Sequence, residues 1–431
     1  MPGPVRGISA GEWETATGGS QFGLTEARDL RHGTVPWRVA DWAIRERSAF
    51  PHKRIDVAIV GAGITGAIVA DRLVEAGRSV ALLDRRPPGL GSTAASTAQI
   101  MWAMDVPMVE LAEELGEAEA ARRWLRVYHA VRRFGSRLDR LEPGLRQNRP
   151  VLYLAGDRLD SHGLEREAAM RRRAGLPSEF QSPDAVGKKC GVAPRAGIAS
   201  QGSFAIDPVN VCRALLDNVV ERGGAVIHPV DVRALHPRAN GMEVETADGR
   251  SLVAGDVILA TGYERPSLFL PPSFSLVSTF AIATPPRNAP LWRDNAMIWE
   301  ASDPYLYVRK GKDGRIIAGG EDSEVVASKQ RNALMPEKAA TIASKLQALL
   351  GRKPLEVDRA WCATFGTSPD GLPAIGRSSL MEHVWLAAGY GGNGIAFAAL
   401  AGEMLARALT DEPDPDAICF DPYRFGTSAQ R

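Results

Sequence analysis

The chain has 431 residues, more than one hydrophobic core usually serves, so its length predicts two domains. A hydrophobic content of 45% and a charged content of 24% are those of an ordinary globular protein. The formal net charge of +1 argues against a nucleic-acid partner recruited by overall electrostatics. No apolar run approaches the roughly 20 residues of a membrane-spanning helix, and the N-terminus lacks the apolar core of a secretory signal. We therefore expect a cytoplasmic protein without a nucleic-acid partner or a membrane span.

The cysteines and histidines show no metal-site spacing. The four cysteines, Cys190, Cys212, Cys362 and Cys419, lie far apart and form no C-x-x-C pair. The seven histidines are also scattered, and the G-x-S-x-G turn of a serine hydrolase is missing from the sequence. We expect reduced cysteines and neither metal-based nor acyl-transfer chemistry.

Residues 1–50 differ from the rest of the chain in their weak periodicity and their richness in Gly, Thr, Arg and Trp. We interpret them as an N-terminal extension that lies over the body of the protein. A short helical piece is predicted near residues 39–47.

Residues 54–86, RIDVAIVGAGITGAIVADRLVEAGRSVALLDRR, predict a strand, a glycine turn, a helix, a second strand and an acid, in that order. Glycines at 61, 63 and 66 have the G-x-G-x-x-G spacing, which allows a tight turn and close approach of a pyrophosphate to the backbone. The helix over residues 64–76 has a positive N-terminal end on which phosphates can rest. Asp84 ends the second strand, where a carboxylate can accept hydrogen bonds from a ribose. An ordinary βαβ unit with a glycine-rich turn is the alternative, but the complete order favours a dinucleotide site.

The middle of the chain predicts further elements near that site. Residues 89–100, GLGSTAASTAQI, are small enough to run close to a ligand. Residues 108–141 repeat apolar side chains at three- and four-residue steps, which predicts a helical segment whose apolar stripe packs in the core. Asp207 is a plausible N-cap of a later helix. The strand in residues 256–264, DVILATGYE, runs into a Thr-Gly turn at the edge of the sheet.

The C-terminal part predicts a second sheet and a second glycine turn. Residues 275–320 contain four strands that suggest an antiparallel sheet of another domain. A helix is predicted over residues 336–350. In residues 384–409 an apolar strand meets four glycines and then an apolar helix, so this turn could also present amides to a ligand.

Several of these stretches together resemble the D-amino acid oxidase-like family of FAD-dependent oxidoreductases, which includes glycine oxidase, sarcosine oxidase and D-amino acid dehydrogenases. The stretches are VAIVGAGITG, STAAST, VILATGYE, and DGLPAIG with GYGGNGIAFA, spread over residues 55–409. The resemblance implies a Rossmann-like, glutathione-reductase-like FAD-binding domain (α/β) interleaved with a substrate domain on a mostly antiparallel sheet (α+β). The implied segments are 51–105, 195–270 and 362–425 for FAD, and 106–194 and 271–361 for the substrate.

The resemblance also implies how the cofactor is held. The first glycine turn would cradle the pyrophosphate, Asp84 would hold the adenosine ribose, and Val232 would meet the adenine end. STAAST would line the flavin's path, and residues 391–395 would place backbone amides near the flavin pyrimidine ring, with a plain helix-packing turn as the alternative. The expected cofactor-binding residues are Gly61, Gly63, Ile64, Thr65, Gly66, Asp84, Arg85, Ser92, Thr93, Ala95, Ser96, Thr97, Val232, Thr261, Gly262, Gly391, Gly392, Asn393, Gly394 and Ile395.

The implied reaction is oxidation of a C–N bond by hydride transfer to the flavin, followed by hydrolysis of the imine. The donor would be a small-molecule amine or amino acid, and the electron acceptor would be oxygen, a quinone or another carrier. Matching the flavin-attachment motif of sarcosine oxidase through Asp370 places Ala363 at the attachment position, with Cys362 beside it. We therefore expect one noncovalent FAD, and no nicotinamide site because a second glycine fingerprint is missing. A flavin-dependent 2-hydroxy acid dehydrogenase and a non-catalytic flavin-binding protein are the alternatives.

The substrate-binding residues are harder to assign. Glycine oxidase holds its substrate carboxylate with an arginine in the segment where this chain has Phe365 and Gly366. In YLYVR, Tyr305, Tyr307 and Arg309 alternate, so they would project from one face of a strand. Two phenols and a guanidinium could bind a carboxylate or box an amine, which makes these three the predicted substrate-binding residues of the catalytic site. A solvated polar face is the alternative, since alternation is common in strands.

Overall fold

The computed structural model describes most of the chain after the first 23 residues. The described residues are 24–25, 27–38, 49–264, 269–287, 292–351 and 355–426. The helical piece predicted near residues 39–47 lies outside them.

The described part forms strands and helices in alternation at first and mostly strands later. The strands are β1 (Arg31–Gly33), β2 (Ile55–Val60), β3 (Val80–Leu83), β4 (Gln99–Ile100), β5 (Arg146–Leu154), β6 (Ser178–Gln181), β7 (Gly197–Ile206), β8 (Ala225–Ile227), β9 (Val232–Arg238), β10 (Gly241–Thr246), β11 (Ser251–Leu259), β12 (Ser275–Ala283), β13 (Met297–Glu300), β14 (Leu306–Lys310), β15 (Ile316–Ser323), β16 (Arg359–Thr367), β17 (Ala374–Arg377) and β18 (Val384–Ala388). The helices are α1 (Ile64–Glu75), α2 (Ser92–Ala95), α3 (Met108–Leu115), α4 (Glu117–Leu141), α5 (Ser161–Arg173), α6 (Pro183–Cys190), α7 (Pro208–Glu221), α8 (Ser328–Leu350) and α9 (Gly394–Ala408), followed by a 3-10 turn at Ala417–Phe420.

The smaller sheet contains the predicted dinucleotide unit. Its strand order is β17-β18-β11-β2-β3-β8, and β10 pairs with β11 and with β9. Strands β18, β11, β2, β3 and β8 run parallel. The apolar run of β3 is buried throughout, as expected for a parallel strand covered on both faces. The carboxyl ends of β2, β3 and β11 therefore meet at one edge, where ligands bind in open α/β sheets.

The larger sheet has the order β1-β16-β12-β15-β14-β13-β5-β7-β4, with β6 paired to β7. Its neighbouring strands are antiparallel except for the parallel pair of β13 and β5. Strands β12 to β15 are the four predicted over residues 275–320. Strands β4, β7 and β16, which the expected boundaries give mostly or wholly to FAD-binding segments, pair in this larger sheet. The polypeptide therefore passes between the two sheets more often than the expected domain boundaries imply.

The helices agree with the predicted pattern in part. Asp207 caps α7 as predicted, because its side chain accepts hydrogen bonds from the N–H groups of Val209 and Asn210. The helical prediction over residues 108–141 is confirmed except at Gly116, whose φ of 84° divides the segment into α3 and α4. Helix α8 begins eight residues before Pro336 and continues through it. No helix in the described residues is both long and apolar enough to span a bilayer.

Candidate functional site

A long cavity lies between the two sheets, with a volume of about 1770 Å³ including its open mouth. Its lining residues come from both sheets, so the cavity can take an extended ligand. One end is formed by the carboxyl ends of β2 and β3, and the other by residues of β12 to β14. All the predicted cofactor-binding residues line it except Gly66.

The glycine turn between β2 and α1 has the geometry that close approach of a ligand requires. Gly61 has a φ of +111°, and a Cβ there would lie 2.3 Å from the carbonyl oxygen of Ala260. A Cβ at Gly66 would lie 1.9 Å from the carbonyl oxygen of Gly61. Gly66 therefore acts by letting α1 pack on the turn, without lining the cavity. Gly63, the residue before α1, has no side chain of its own to cap the helix, and it lines the cavity beside the positive end of α1.

Asp84 connects the end of β3 to the glycine turn. One carboxylate oxygen accepts the N–H of Ala62 at 2.8 Å, and the other accepts the N–H of Arg86 at 2.8 Å. Burial raises the pKa of Asp84, and these two N–H groups oppose the rise. The carboxylate lines the cavity and has lone pairs beyond the two already used, so it can also accept hydroxyl donors.

Arg85 and Arg86 follow at the same end of the cavity, and both are ion-paired. Arg85 lies 2.8 Å from the carboxylate of Asp231 and 3.6 Å from that of Glu264. Arg86 also pairs with Glu264, which is 5% exposed. Glu264 ends the VILATGYE motif, so the sequence could have identified it as part of the site. No motif marked Asp231.

The described part of the N-terminal extension covers this end. Arg85 donates to the hydroxyl of Thr25 at 2.7 Å and to its carbonyl at 3.1 Å. Thr25 and Leu30 line the cavity. The N–H of Leu24 donates to the carbonyl of Val232, which lines the same end. The described residues of the extension therefore contribute to the cavity wall.

The middle of the cavity presents hydroxyl groups. Thr93 accepts the N–H of Ile64, the first residue of α1, at 2.9 Å. The side-chain oxygens of Ser92 and Thr261 are buried and have no hydrogen-bond partner, although both residues line the cavity. Buried polar groups are usually paired, so these two hydroxyls are suited to a polar ligand.

The second glycine turn is held by an acid that sequence reasoning missed. Asp105 accepts the N–H of Gly392 at 2.9 Å and the side-chain amide of Asn393 at 3.0 Å. That amide also donates to the carbonyl of Ala103 at 2.9 Å. Burial raises the pKa of Asp105, which itself lines the cavity. One amide predicted to face a ligand is therefore occupied by Asp105, a residue that no local motif marked.

The far end of the cavity is aromatic. Tyr305 and Tyr307 both line it, with ring centroids 5.9 Å apart. Trp299 and Phe365 line it as well, and the ring of Tyr153 stacks on that of Trp299 with their centroids 4.0 Å apart. The indole N–H of Trp299 is buried without a hydrogen-bond partner.

Arg309 is separated from the two tyrosines. Its guanidinium donates to the carbonyl oxygens of Thr97 and Ile206 and lies 5.1 Å from the ring centroid of Trp37. It is 3% exposed and is not among the residues lining the cavity. Beyond Tyr307, other backbone segments cover this face of β14, so strand alternation alone could not place the guanidinium. We leave Arg309 out of the proposed substrate site.

The comparisons with known proteins agree with this geometry. Residues 56–408 match the family model described as DAO, FAD dependent oxidoreductase. The chain belongs to this family. The DAO-family glycine oxidase of Bacillus licheniformis is 24% identical over 378 residues, covering 84% of this chain and 94% of its own. The prediction of an FAD-dependent oxidoreductase is confirmed.

Solved structures show the same fold. An L-proline dehydrogenase from P. horikoshii superposes with a TM-score of 0.73 at 20% identity, covering 86% of this chain and 98% of its own. A glycine oxidase from Geobacillus kaustophilus superposes with a TM-score of 0.70 at 18% identity, covering 86% of this chain and 99% of its own. The predicted fold class is therefore confirmed.

The residues compared above with family motifs, Cys362, Ala363 and Phe365, lie on different faces of β16. Ala363 lines the cavity, whereas Cys362 is fully buried in the apolar cluster on the other face of β16, its Sγ 3.6 Å from the side-chain oxygen of Asn332. Phe365 also lines the cavity. No group of three or more His, Cys, Asp or Glu side chains in the described residues could hold a metal ion.

Proposed function

We propose that this protein oxidises the C–N bond of an amine or amino acid, using noncovalent FAD, to an imine that then hydrolyses. The observation that carries the proposal is the continuous cavity that joins the glycine turn and Asp84 to the aromatic end at Tyr305 and Tyr307. A dinucleotide lying along it would place its reactive ring between the second glycine turn and these rings.

The residues present fit FAD. The positive N-terminal end of α1 suits a pyrophosphate, and Asp84 suits a ribose. The unpartnered hydroxyls of Ser92 and Thr261 would gain partners between these two ends. Residues 391–395 line the cavity near its aromatic end, which favours a ligand-binding role over a plain helix-packing turn.

When bound, FAD supplies the acceptor for the hydride that leaves the carbon next to nitrogen. The protein's part is to orient the donor and exclude water. Tyr305, Tyr307 and Trp299 provide walls that can hold a small donor against the flavin position and keep the site dry. The donor nitrogen must be neutral when the hydride leaves, so a proton must be released at that nitrogen within this end of the cavity.

The absence of attaching side chains supports noncovalent FAD. None of the cavity-lining residues in the described chain is a cysteine or a histidine. Cys212 is buried beside the glycine turn, its Sγ 3.7 Å from the carbonyl of Ala62, and burial raises its thiol pKa. The thiolate that a covalent bond would need is therefore disfavoured there.

The test is an anaerobic titration of the purified yellow protein with amines, amino acids and 2-hydroxy acids. Bleaching of the flavin bands by amines or amino acids, with release of ammonia or an alkylamine, supports the proposal. Bleaching by 2-hydroxy acids alone would replace it with the dehydrogenase alternative. A protein whose flavin no donor reduces would be a flavin-binding protein. Acid precipitation that leaves all the flavin in solution supports noncovalent binding, and re-oxidation by air or by a quinone identifies the acceptor.

A further inference from the structure

The far end of the cavity has an unusual charge distribution for a site that takes amino acids. Among the described residues lining the cavity, the cations are Arg85 and Arg86. Both lie at the nucleotide end and are paired with acids there. At the aromatic end, no cation of the described residues lines the cavity to pair with a substrate carboxylate.

The basic side chains near that end have partners elsewhere. Arg158 donates to the backbone carbonyl of Asp105 and pairs with Glu110, and it does not line the cavity. Lys338 and Lys345 of α8 both pair with Glu321.

Two acids lie at the aromatic end instead. Asp105 lines the cavity. Asp322 lies behind Tyr305 and Thr279, within hydrogen-bonding range of both, and one of its carboxylate oxygens is buried without a partner. Burial raises the pKa of Asp322 to about 6, and the charge of Asp105 contributes to the rise. A cation bound between the two acids would relieve this repulsion.

A distortion of the larger sheet produces the placement of Asp322. The pairing of β12 with β15 shifts register between Ser278 and Phe280, so that extra residues of β15 bulge out opposite Thr279. Glu321, in that bulge, has a φ of 58°, a strained conformation for a non-glycine residue. Glu321 meets the lysines of α8, while Asp322 meets Tyr305. Bulges of this kind commonly redirect a side chain beside an active site.

The aromatic rings suit the same kind of ligand. A cation within about 6 Å of a Tyr or Trp face is attracted by the ring, most strongly where water is excluded. Tyr305, Tyr307 and Trp299 offer three such rings beside Asp105.

We infer that the donor is an amine without a carboxylate on the reacting carbon, bound as a cation by Tyr305, Tyr307 and Trp299 in the field of Asp105 and Asp322. A substrate carboxylate there would face two acids, and no lining cation in the described part of the chain would pair with it. An amine without a carboxylate avoids this repulsion. This inference rests on the proposed function and narrows its substrate class. A buried charge without a partner is strongly disfavoured, so we expect at least a hundredfold discrimination, which corresponds to about 2.8 kcal/mol.

The experiment uses the FAD-loaded protein and matched pairs that differ by one carboxylate: 1,4-diaminobutane with ornithine, agmatine with arginine, and phenethylamine with phenylalanine. The rate of anaerobic flavin bleaching is measured at several concentrations of each compound. The inference expects at least one amine to bleach the flavin at least a hundredfold more efficiently than its amino acid.

The outcomes separate the two levels of the argument. Bleaching by amino acids that equals or exceeds bleaching by their amines overturns the inference and leaves the proposed function standing. Bleaching by no amine and no amino acid overturns the proposed function itself, and the inference with it.

Two variants test the charge argument. Asp322→Asn keeps the shape of the side chain, so we expect at least a tenfold weaker amine affinity, measured as the Kd from flavin absorbance; Asp139→Asn, at the surface, is the control. Phe365→Arg introduces the missing cation and should raise the relative efficiency of the amino acids at least tenfold, whereas Phe365→Leu should not. Unchanged preferences in both Asp322→Asn and Phe365→Arg would refute the electrostatic reasoning. If Asp322→Asn does not fold, Phe365→Arg decides.

Discussion

The close contact of Gly66 with Gly61 gives the most direct test of the FAD site. In Gly66→Ala the new Cβ would lie 1.9 Å from the carbonyl oxygen of Gly61, whereas real Cβ contacts below 3.0 Å are essentially never found. The obstacle is backbone, which cannot rotate away as a side chain does. Helix α1 and the glycine turn must therefore separate by about 1 Å.

A separation of this size acts on both stability and cofactor affinity. Overpacking of a tight interior costs about 1–3 kcal/mol, which should lower the Tm. It also moves the N-terminal amides of α1 relative to the turn, and a hydrogen bond to a charged group contributes about 1.5–3 kcal/mol. The loss of one such bond raises the Kd for FAD about 10- to 150-fold.

The assay is a fluorescence titration of the apoprotein with FAD, together with thermal unfolding of both forms. Gly163→Ala in α5 is the matched control, because the tightest contact of its Cβ would be with the flexible end of Leu159 at 3.1 Å, and the carboxylate of Asp160 would lie at an ordinary 3.4 Å. We expect the control to keep its FAD affinity and its Tm to be unchanged or slightly raised, since alanine is the better helix former. A Gly66→Ala protein with unaltered Kd and Tm would refute the assigned role of the turn.

Three further predictions concern charged side chains. Asp84→Asn turns one carboxylate oxygen into a donor facing a backbone N–H, so the Kd for FAD should rise at least about tenfold in the same titration. Arg309→Met leaves two buried carbonyls unpaired, so it should lower the Tm by several degrees without changing the KM of any donor. A raised KM at an unchanged Tm would instead place Arg309 in the substrate site. Because Asp322 is neutral below its pKa of about 6, the Kd of choline, which stays charged, should rise as pH falls through that value, and flavin absorbance measures this Kd. The titratable groups that interact with Asp322 are Asp105, Asp303, Tyr305 and Tyr307. A pH-independent Kd would contradict the role given to Asp322.

Much of the nucleotide half could be predicted because its signals are local. A strand, the glycines of the turn, a helix and Asp84 follow one another within about thirty residues, and each has a conformational reason for its place. The four strands of residues 275–320 could be predicted equally well from their apolar periodicity. Helix boundaries were harder to predict. The apolar repeat continues across Gly116 with the same period, although the helix ends there.

The substrate half depends on contacts between distant segments. Asp105 reaches Gly392 across 287 positions, and no spacing rule connects them. Asp322 meets Tyr305 because of a bulge that the alternating pattern does not contain. Arg309 fits the same pattern as the tyrosines, yet neighbouring backbone diverts its guanidinium.

By itself, then, the sequence determined the class of fold, the FAD-binding turn and the elements that carry most of the site. Short-range sterics and burial periodicity specify those features, and both are written in adjacent residues. Only the tertiary structure decided which acids surround the aromatic end and that no arginine joins them. Charge placement across a cavity depends on the packing of whole sheets, and that packing is a property of no single segment.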